Sequence, residues 1–176
     1  ETRKGVWNLA KAIPRVLQQM PEAHFIFLGK DSRGPLRQRS MKQVLLQELG
    51  ACADRVDFID AVPLEEVPRV LARASVAVFP SLWENFPNVC LEAMAAGRAV
   101  VASNQGGMVD MLTPADGGVF IDPDNPSDIA DTLLSLLRHP DRIRAMGMRN
   151  RERALQYYGN KLPAELLETY RRLCLD

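Results

Sequence analysis

The sequence predicts an α/β fold, a doubly wound parallel sheet followed by a helical tail. Short apolar runs closed by Gly or Pro alternate with amphipathic segments at intervals of roughly 20 residues, the rhythm of βαβ units. The first of these runs, His24-Phe-Ile-Phe-Leu28, is apolar on both faces, which suits a strand buried between two helical layers. After Asp122 the rhythm changes, and helical segments follow one another without strands between them.

Each element has its own signal. Apolar residues at Val6, Leu9, Ala10, Ile13, Val16, Leu17 and Met20 recur at spacings of three and four, marking an amphipathic helix. Pro14 lies inside it without a backbone donor, so a kink or local irregularity is expected there. Residues 24–28 form the first strand, closed by Gly29. A helix fits 36–49 and ends at Gly50; 56–59 is a strand, and 64–74 a helix with Pro68 early in it. Residues 76–79 are a strand stopped by Pro80. A helix fits 87–96, opening on Pro87, whose missing N–H would be unsatisfied there anyway, with Gly97 past its end. Residues 99–102 are a strand, 108–112 a short helix and 119–121 the last strand. Beyond the turn Asp122-Pro-Asp-Asn-Pro126, helices are expected over 127–137, 141–158 and 162–173. No repeat, low-complexity stretch or linker interrupts this single domain.

Composition bounds the function. The 176 residues are 47% hydrophobic and 25% charged, which fits an ordinary globular domain and excludes wholesale disorder. With 22 basic and 22 acidic side chains the formal net charge is zero. That argues against holding nucleic acid or an anionic membrane through a bulk basic field, though not against a local anion site. Cys52, Cys90 and Cys174 are scattered without metal-ligand spacing and read as reduced thiols. No apolar run approaches the roughly 20 residues of a membrane span, and Glu-Thr-Arg-Lys-Gly5 lacks a signal peptide's apolar stretch. A cytoplasmic location is expected. The basic run Arg142, Arg144, Arg149, Arg151 and Arg153 reads as a solvated helix face, with membrane association of the whole protein left open.

In open α/β sheets ligands sit beyond the carboxyl ends of the strands, so the chemistry belongs in the loops that follow them. Those loops are Gly29-Lys30-Asp31-Ser32, Asp60-Ala-Val-Pro63, Pro80-Ser-Leu-Trp-Glu-Asn-Phe-Pro87 and Ser103-Asn-Gln-Gly-Gly107. The third is long for a βα connection and holds an aromatic pair, a carboxylate and an amide. The N–H groups of Asn88, Val89 and Cys90 would open the next helix as an anion site. Glu92, about one and a half turns in, can reach toward a bound hydroxyl pair. Gly106-Gly107 lets backbone approach closely before another short helix. Two helix N-termini at one crevice suit a diphosphate, and carboxylates beside them suit vicinal diols.

Each feature also has a plainer reading. The spacing Glu84-x7-Glu92 is weak evidence alone. A Gly-Gly pair is more often a plain turn, and Trp83 and Phe86 more often core or lid packing. Lys4, Lys30 and Arg98 are solvated charges unless the fold aims them at the crevice. His24 and His139 look structural. Cys90 has no paired base to make it a nucleophile.

Taken together, Phe79-Pro-Ser-Leu-Trp-Glu-Asn-Phe-Pro-Asn-Val-Cys-Leu-Glu-Ala-Met-Ala-Ala-Gly-Arg-Ala-Val-Val-Ala-Ser-Asn-Gln-Gly-Gly-Met-Val-Asp110 resembles the signature of retaining glycosyltransferase family 4. In that family a Pro-Ser strand end leads to Glu-x7-Glu, the second Glu opening Glu-Ala-Met-Ala, then Gly-x-Pro-Val-Val-Ala-Ser and a Gly-Gly turn. Arg3-Lys4-Gly5 is similar to the family's early Lys-Gly segment, residues 23–29 to its Pro-x-Ala-x-Leu-x-Ile-x-Gly strand, and 55–77 to its Val-x-Phe-x-Gly-x-Val strand and the helix that follows. The likeness covers essentially the whole chain. It implies the Rossmann-like C-terminal lobe of the two-lobed GT-B architecture, over residues 1–176, without the N-terminal acceptor-binding lobe.

The resemblance also implies roles. Lys4 would meet the donor diphosphate and Glu84 the hydroxyls of the transferred sugar, the two catalytic positions. Backbone groups of Asn85, Phe86, Asn88 and Val89 would hold sugar and phosphate, Glu92 the ribose, and Val62 the base, with Gly29, Gly106 and Gly107 in the same site. The donor would be a nucleoside diphosphate sugar, with UDP or GDP favoured over ADP, no cofactor, no metal and a retained anomeric configuration. Four departures stand out. The family's strand ending Gly-Arg, some five residues before the Lys, has no counterpart in this sequence. Ile59-Asp60 replaces its usual Gly, Pro87 a commoner Gly, and Asp110 a usual Glu. Without an acceptor lobe, weak donor binding and poor transfer are expected. The rival readings are a sugar-nucleotide epimerase lobe, disfavoured because neither histidine lies in a crevice loop, and a non-catalytic nucleotide-sugar-binding module.

Overall fold

A computed structural model of the chain describes residues 2–34, 39–112 and 117–158. A 3-10 turn (Thr2–Lys4) leads into α1 (Val6–Gln19), β1 (Phe25–Leu28), α2 (Met41–Leu49) and β2 (Val56–Ile59). Then come α3 (Val67–Ala72), β3 (Val76–Phe79), α4 (Asn88–Ala95), β4 (Ala99–Ser103) and α5 (Met108–Met111). β5 (Gly118–Ile121), α6 (Pro126–Leu137) and α7 (Pro140–Tyr158) follow.

Every ladder is parallel. β1 pairs with β2, Phe25 opposite Val56. β4 lies between β3 and β5, with Val101 opposite Val78 on one side and Val119 on the other. β4 is buried throughout, and its side chains divide by parity. Ala99 and Val101 enter a core with Ile13, Val16, Leu45 and Leu133, from α1, α2 and α6. Val100 and Ala102 enter a second core with Cys90, Met94, Met108 and Ala154, from α4, α5 and α7. Helices therefore cover both faces, as the alternation of a strand requires.

The expected parallel, helix-covered arrangement is present, with its strands paired as a two-stranded sheet, β1-β2, and a three-stranded sheet, β3-β4-β5. Among the described residues no strand pairs with members of both sheets. Packing joins them instead: α1 lies against α2 and α6, and its face of Leu9, Ala10, Ile13, Val16 and Leu17 shares a core with Phe25 and Phe27 of β1 and Ile121 of β5.

Element ends move for identifiable reasons. α1 is an uninterrupted helix with Pro14 inside it. α2 starts at Met41 because Ser40 accepts from the Gln43 N–H while the Gln43 side chain accepts from the Ser40 N–H, a closed capping box. Residues 36–38 of the expected helix lie outside the described residues. The expected 64–74 helix is a 3-10 turn, Leu64–Glu66, followed by α3, because Pro68 has no N–H to extend the bonding backward. Pro87 is the residue before α4, with ψ 106, and is not its first turn. Asn125 caps α6, accepting from the N–H groups of Ser127 and Asp128. α7 is tied back by Asn150, whose Nδ2 donates to the carbonyls of Arg98 and Gly117, each at 2.8 Å. The helix expected over 162–173 lies outside the described residues. Among the described residues no helix is long and apolar enough to cross a membrane.

Candidate functional site

The carboxyl ends of β3 and β4 present two loops, residues 80–87 and 104–107, and the Thr2–Lys4 turn packs against the first of them. Three close approaches fix the arrangement. A Cβ at Gly5 would fall 1.7 Å from the Pro80 carbonyl oxygen, one at Gly106 2.4 Å from that of Glu84, and one at Gly107 1.5 Å from that of Asn85. Only hydrogen at these Cα positions lets the backbones meet. Hydrogen bonds finish the join: the Leu82 N–H donates to the Arg3 carbonyl at 2.8 Å, and the Gly107 N–H to the Glu84 carbonyl at 2.8 Å. The 80–87 loop is gripped from both sides.

Glu84 is the charged centre. It is buried, 8% exposed, and each carboxylate oxygen has its own cation. Lys4 Nζ stands 2.5 Å from Oε1, and Arg3 Nη1 3.0 Å from Oε2. Arg3 also donates to the Trp83 carbonyl at 3.1 Å. Burial pushes the Glu84 carboxyl up, but the Lys4 ammonium and then the Arg3 guanidinium outweigh it and hold the group below the ordinary glutamate range. The sequence motif supplied Lys4 and Glu84, and the fold pairs them. Arg3 was passed over. Its signal was adjacency to Lys4, and a 3-10 turn that brings both neighbours to one carboxylate is not written in spacing.

α4 opens beside this cluster. It has no side-chain cap, so the first-turn amides of Asn88 and Val89 are not taken by one, whereas the Cys90 N–H, expected to be free, donates to the Pro87 carbonyl at 2.9 Å. α2 and α6, by contrast, carry Ser40 and Asn125 on their first turns. Asn85, Phe86, Asn88 and Val89 are exposed around the opening, and Glu92 is half-buried in the second turn of α4. Trp83 and Phe86 are 54% and 51% exposed, so neither is core packing as the plainer reading has it. The helix expected after Gly106-Gly107 is a single turn, Met108–Met111, and the pair's close approach is to the neighbouring loop.

Gly29 and Val62 belong to the other sheet. Gly29 extends the β1–β2 pairing by donating its N–H to the Ile59 carbonyl at 3.0 Å. Val62 is half-buried in the loop after β2. The remaining candidates have structural duties. Arg98 donates to the carbonyls of Ala96 and Ala74 at 2.9 and 2.8 Å. His24 sits 3.3 Å from Asp57, and His139 Nδ1 meets the Ser135 carbonyl at 2.7 Å. The Cys90 thiol is fully buried and pushed by that burial up to about 12, which leaves it inert at neutral pH. Among the described residues no three His, Cys, Asp or Glu side chains group as a metal site.

The family model described as "Glycosyl transferases group 1" matches residues 1–139. D-inositol 3-phosphate glycosyltransferase of Corynebacterium urealyticum is 30% identical over 172 residues, covering 97% of this chain and 40% of that protein. The fold, Rossmann-like, is shared with sucrose-phosphate synthase of Thermosynechococcus elongatus at a TM-score of 0.82 and 30% identity, over 98% of this chain and 43% of that one. The Anabaena HepE protein, solved in complex with UDP, gives a TM-score of 0.80 at 22% identity, over 96% of this chain and 46% of its own. The chain thus spans less than half the length of the curated relatives it matches over nearly all of its own length.

Proposed function

The chain belongs to the glycosyl transferases group 1 family, and we propose that it is the nucleotide-sugar-binding lobe of a retaining, metal-independent enzyme of that family. The observation that carries the reading is the Lys4–Glu84 pair, 2.5 Å apart, beside the uncapped first turn of α4. In this reading Lys4 meets the donor diphosphate and stabilises the charge that grows on it as the sugar leaves. A fixed cation and helix N-terminal amides supply that term without reorganising. Glu84 takes hydroxyls of the transferred sugar. Backbone groups of Asn85, Phe86, Asn88 and Val89 hold sugar and phosphate, and Glu92 accepts from the ribose diol. The base lies toward Val62 and Gly29, and Gly106 and Gly107 brace the loop that carries Glu84.

The donor is a nucleoside diphosphate sugar, with UDP or GDP favoured over ADP. The UDP complex of the Anabaena protein lends support. The acceptor binds a further lobe of the whole enzyme, so the 176-residue chain alone binds donor weakly and transfers poorly. Calorimetric titration with UDP-, GDP- and ADP-sugars tests the donor site. Binding of one class with weaker binding by Glu92→Ala is expected. No binding of any class by folded protein would end the donor reading, wild-type affinity in Glu92→Ala would refute the ribose role, and sugar transfer by this chain alone would contradict the acceptor-lobe assignment.

A further inference from the structure

We propose, resting on the donor-lobe reading above, that the donor nucleotide is a guanosine diphosphate, its base read by the Asp60 carboxylate with the Lys30 ammonium beside it. The two residues share one ledge. β1 and β2 run parallel as far as Leu28 opposite Ile59, and the Gly29 N–H continues the pairing by donating to the Ile59 carbonyl at 3.0 Å. Lys30 and Asp60 therefore carry the first side chains beyond the carboxyl ends of two neighbouring strands, the place where open α/β sheets hold ligands. In the chain they adjoin Gly29 and Val62, toward which the donor reading puts the base. Neither charge is used by the fold. Lys30 and Asp60 are exposed, and among the described residues neither makes a hydrogen bond or an ion pair, to the other or elsewhere. Nearby carboxylates are engaged: Asp31 accepts from the Lys42 N–H at 3.0 Å, and Asp57 meets Arg73 at 2.8 Å and His24 at 3.3 Å. The ledge also has room, since a Cβ at Gly29 would meet nothing within 4 Å. Asp60 stands where the glycosyltransferase signature has glycine, so its carboxylate is this chain's own addition to the loop.

The edges of the bases decide which one such a pair can read. A carboxylate only accepts hydrogen bonds and an ammonium only donates them. Guanine presents two donors side by side, N1–H and the N2 amine, with the O6 acceptor next to them. Both Asp60 oxygens can accept from those donors while Lys30 donates to O6, and every bond is charge-assisted. Uracil sets its single N3–H between two carbonyls, so one carboxylate oxygen would face a lone pair. Adenine sets its N1 acceptor beside the N6 amine, with the same result. At 22% identity the Anabaena protein shares the fold alone, so its UDP supports a nucleotide without choosing the base.

Calorimetric titration compares GDP with UDP, ADP and inosine diphosphate, which is GDP without the N2 amine. The wild type should bind GDP about tenfold more tightly than UDP or ADP, and inosine diphosphate several-fold more weakly than GDP. Asp60→Ala should bind GDP and inosine diphosphate alike, a change that loss of a merely structural carboxylate would not produce. Lys30→Met should weaken both several-fold and by the same factor, because each keeps O6. Neither side chain holds another residue in place, so both variants should unfold at the wild-type urea concentration. GDP bound no more tightly than UDP or ADP, equal wild-type affinity for GDP and inosine diphosphate, an undiminished GDP preference in Asp60→Ala, or wild-type affinity in Lys30→Met would each overturn the guanine reading and leave the donor lobe standing. Failure of the folded wild type to bind any of the four would overturn the donor-lobe reading, and the guanine reading with it.

Discussion

Replacing Gly107 with alanine should cost both stability and donor binding, and the size of each effect follows from one contact. Gly107 has φ −67, a conformation any residue adopts, so the consequence is steric alone. The added Cβ would stand 1.5 Å from the Asn85 carbonyl oxygen and 2.6 Å from its carbon. Ordinary contact needs about 3.5 Å, so the Asn85 carbonyl has to retreat by about 2 Å. The Gly107 N–H to Glu84 carbonyl bond of 2.8 Å cannot survive that shift. Overpacking of this kind costs about 1–3 kcal/mol, and the lost hydrogen bond adds about 1 kcal/mol. Glu84, the neighbour of the displaced Asn85, carries the carboxylate that Lys4 reaches at 2.5 Å, so affinity for the donor nucleotide should fall at least tenfold. Urea unfolding measures the first quantity and calorimetry the second. Gly50→Ala is the control: its φ is 52 with nothing within 4 Å of the added atom, so strain of about 1–3 kcal/mol should leave donor affinity intact. A Gly107→Ala protein with wild-type donor affinity would show that the site does not depend on this approach.

Two further outcomes concern titratable groups. The Glu84 carboxyl sits below its ordinary value of 4.5 in the folded chain, so its contribution to stability is complete above that value and disappears as pH falls through the lower native one. Thermal melts should lose stability over this acid window, and Glu84→Gln should flatten the decline. Asp31 and Asp57 are also held low, by the Lys42 backbone N–H and by Arg73 with His24 respectively, so a residual slope remains. An unchanged pH profile in Glu84→Gln would count against the pairing. At pH 8, mass spectrometry after maleimide treatment should find Cys52 labelled and Cys90 untouched, since Cys90 is fully buried and titrates near 12. Rapid labelling of Cys90 in folded protein would contradict the packing of α4.

Much of the fold was legible because strand and helix periods are local. The apolar run ending at Leu28 and the three-four spacing from Val6 to Leu17 reach the eye without tertiary knowledge, and β1 and α1 stand within a residue of expectation. Boundaries set by side chain to backbone bonds were not legible in the same way. Ser40 and Gln43 look like any polar pair until they close on each other. The division of the sheet was hidden too, because periodicity names strands without naming their neighbours. For the site, the motif marked Lys4, Glu84 and Glu92, and the fold joins Lys4 directly to Glu84, 80 positions away. Arg3 entered through geometry alone.

The grip on the 80–87 loop has a consequence for change over time. Gly5, Gly106 and Gly107 position it by what they lack, each leaving space that any side chain would fill. Added atoms at those three places push the loop away, so mutation has no small steps available there. The loop's outer side carries no such ban: Trp83 and Phe86 stand more than half in solvent. Drift is confined to that outward rim, while the glycine seam behind it has to stay bare.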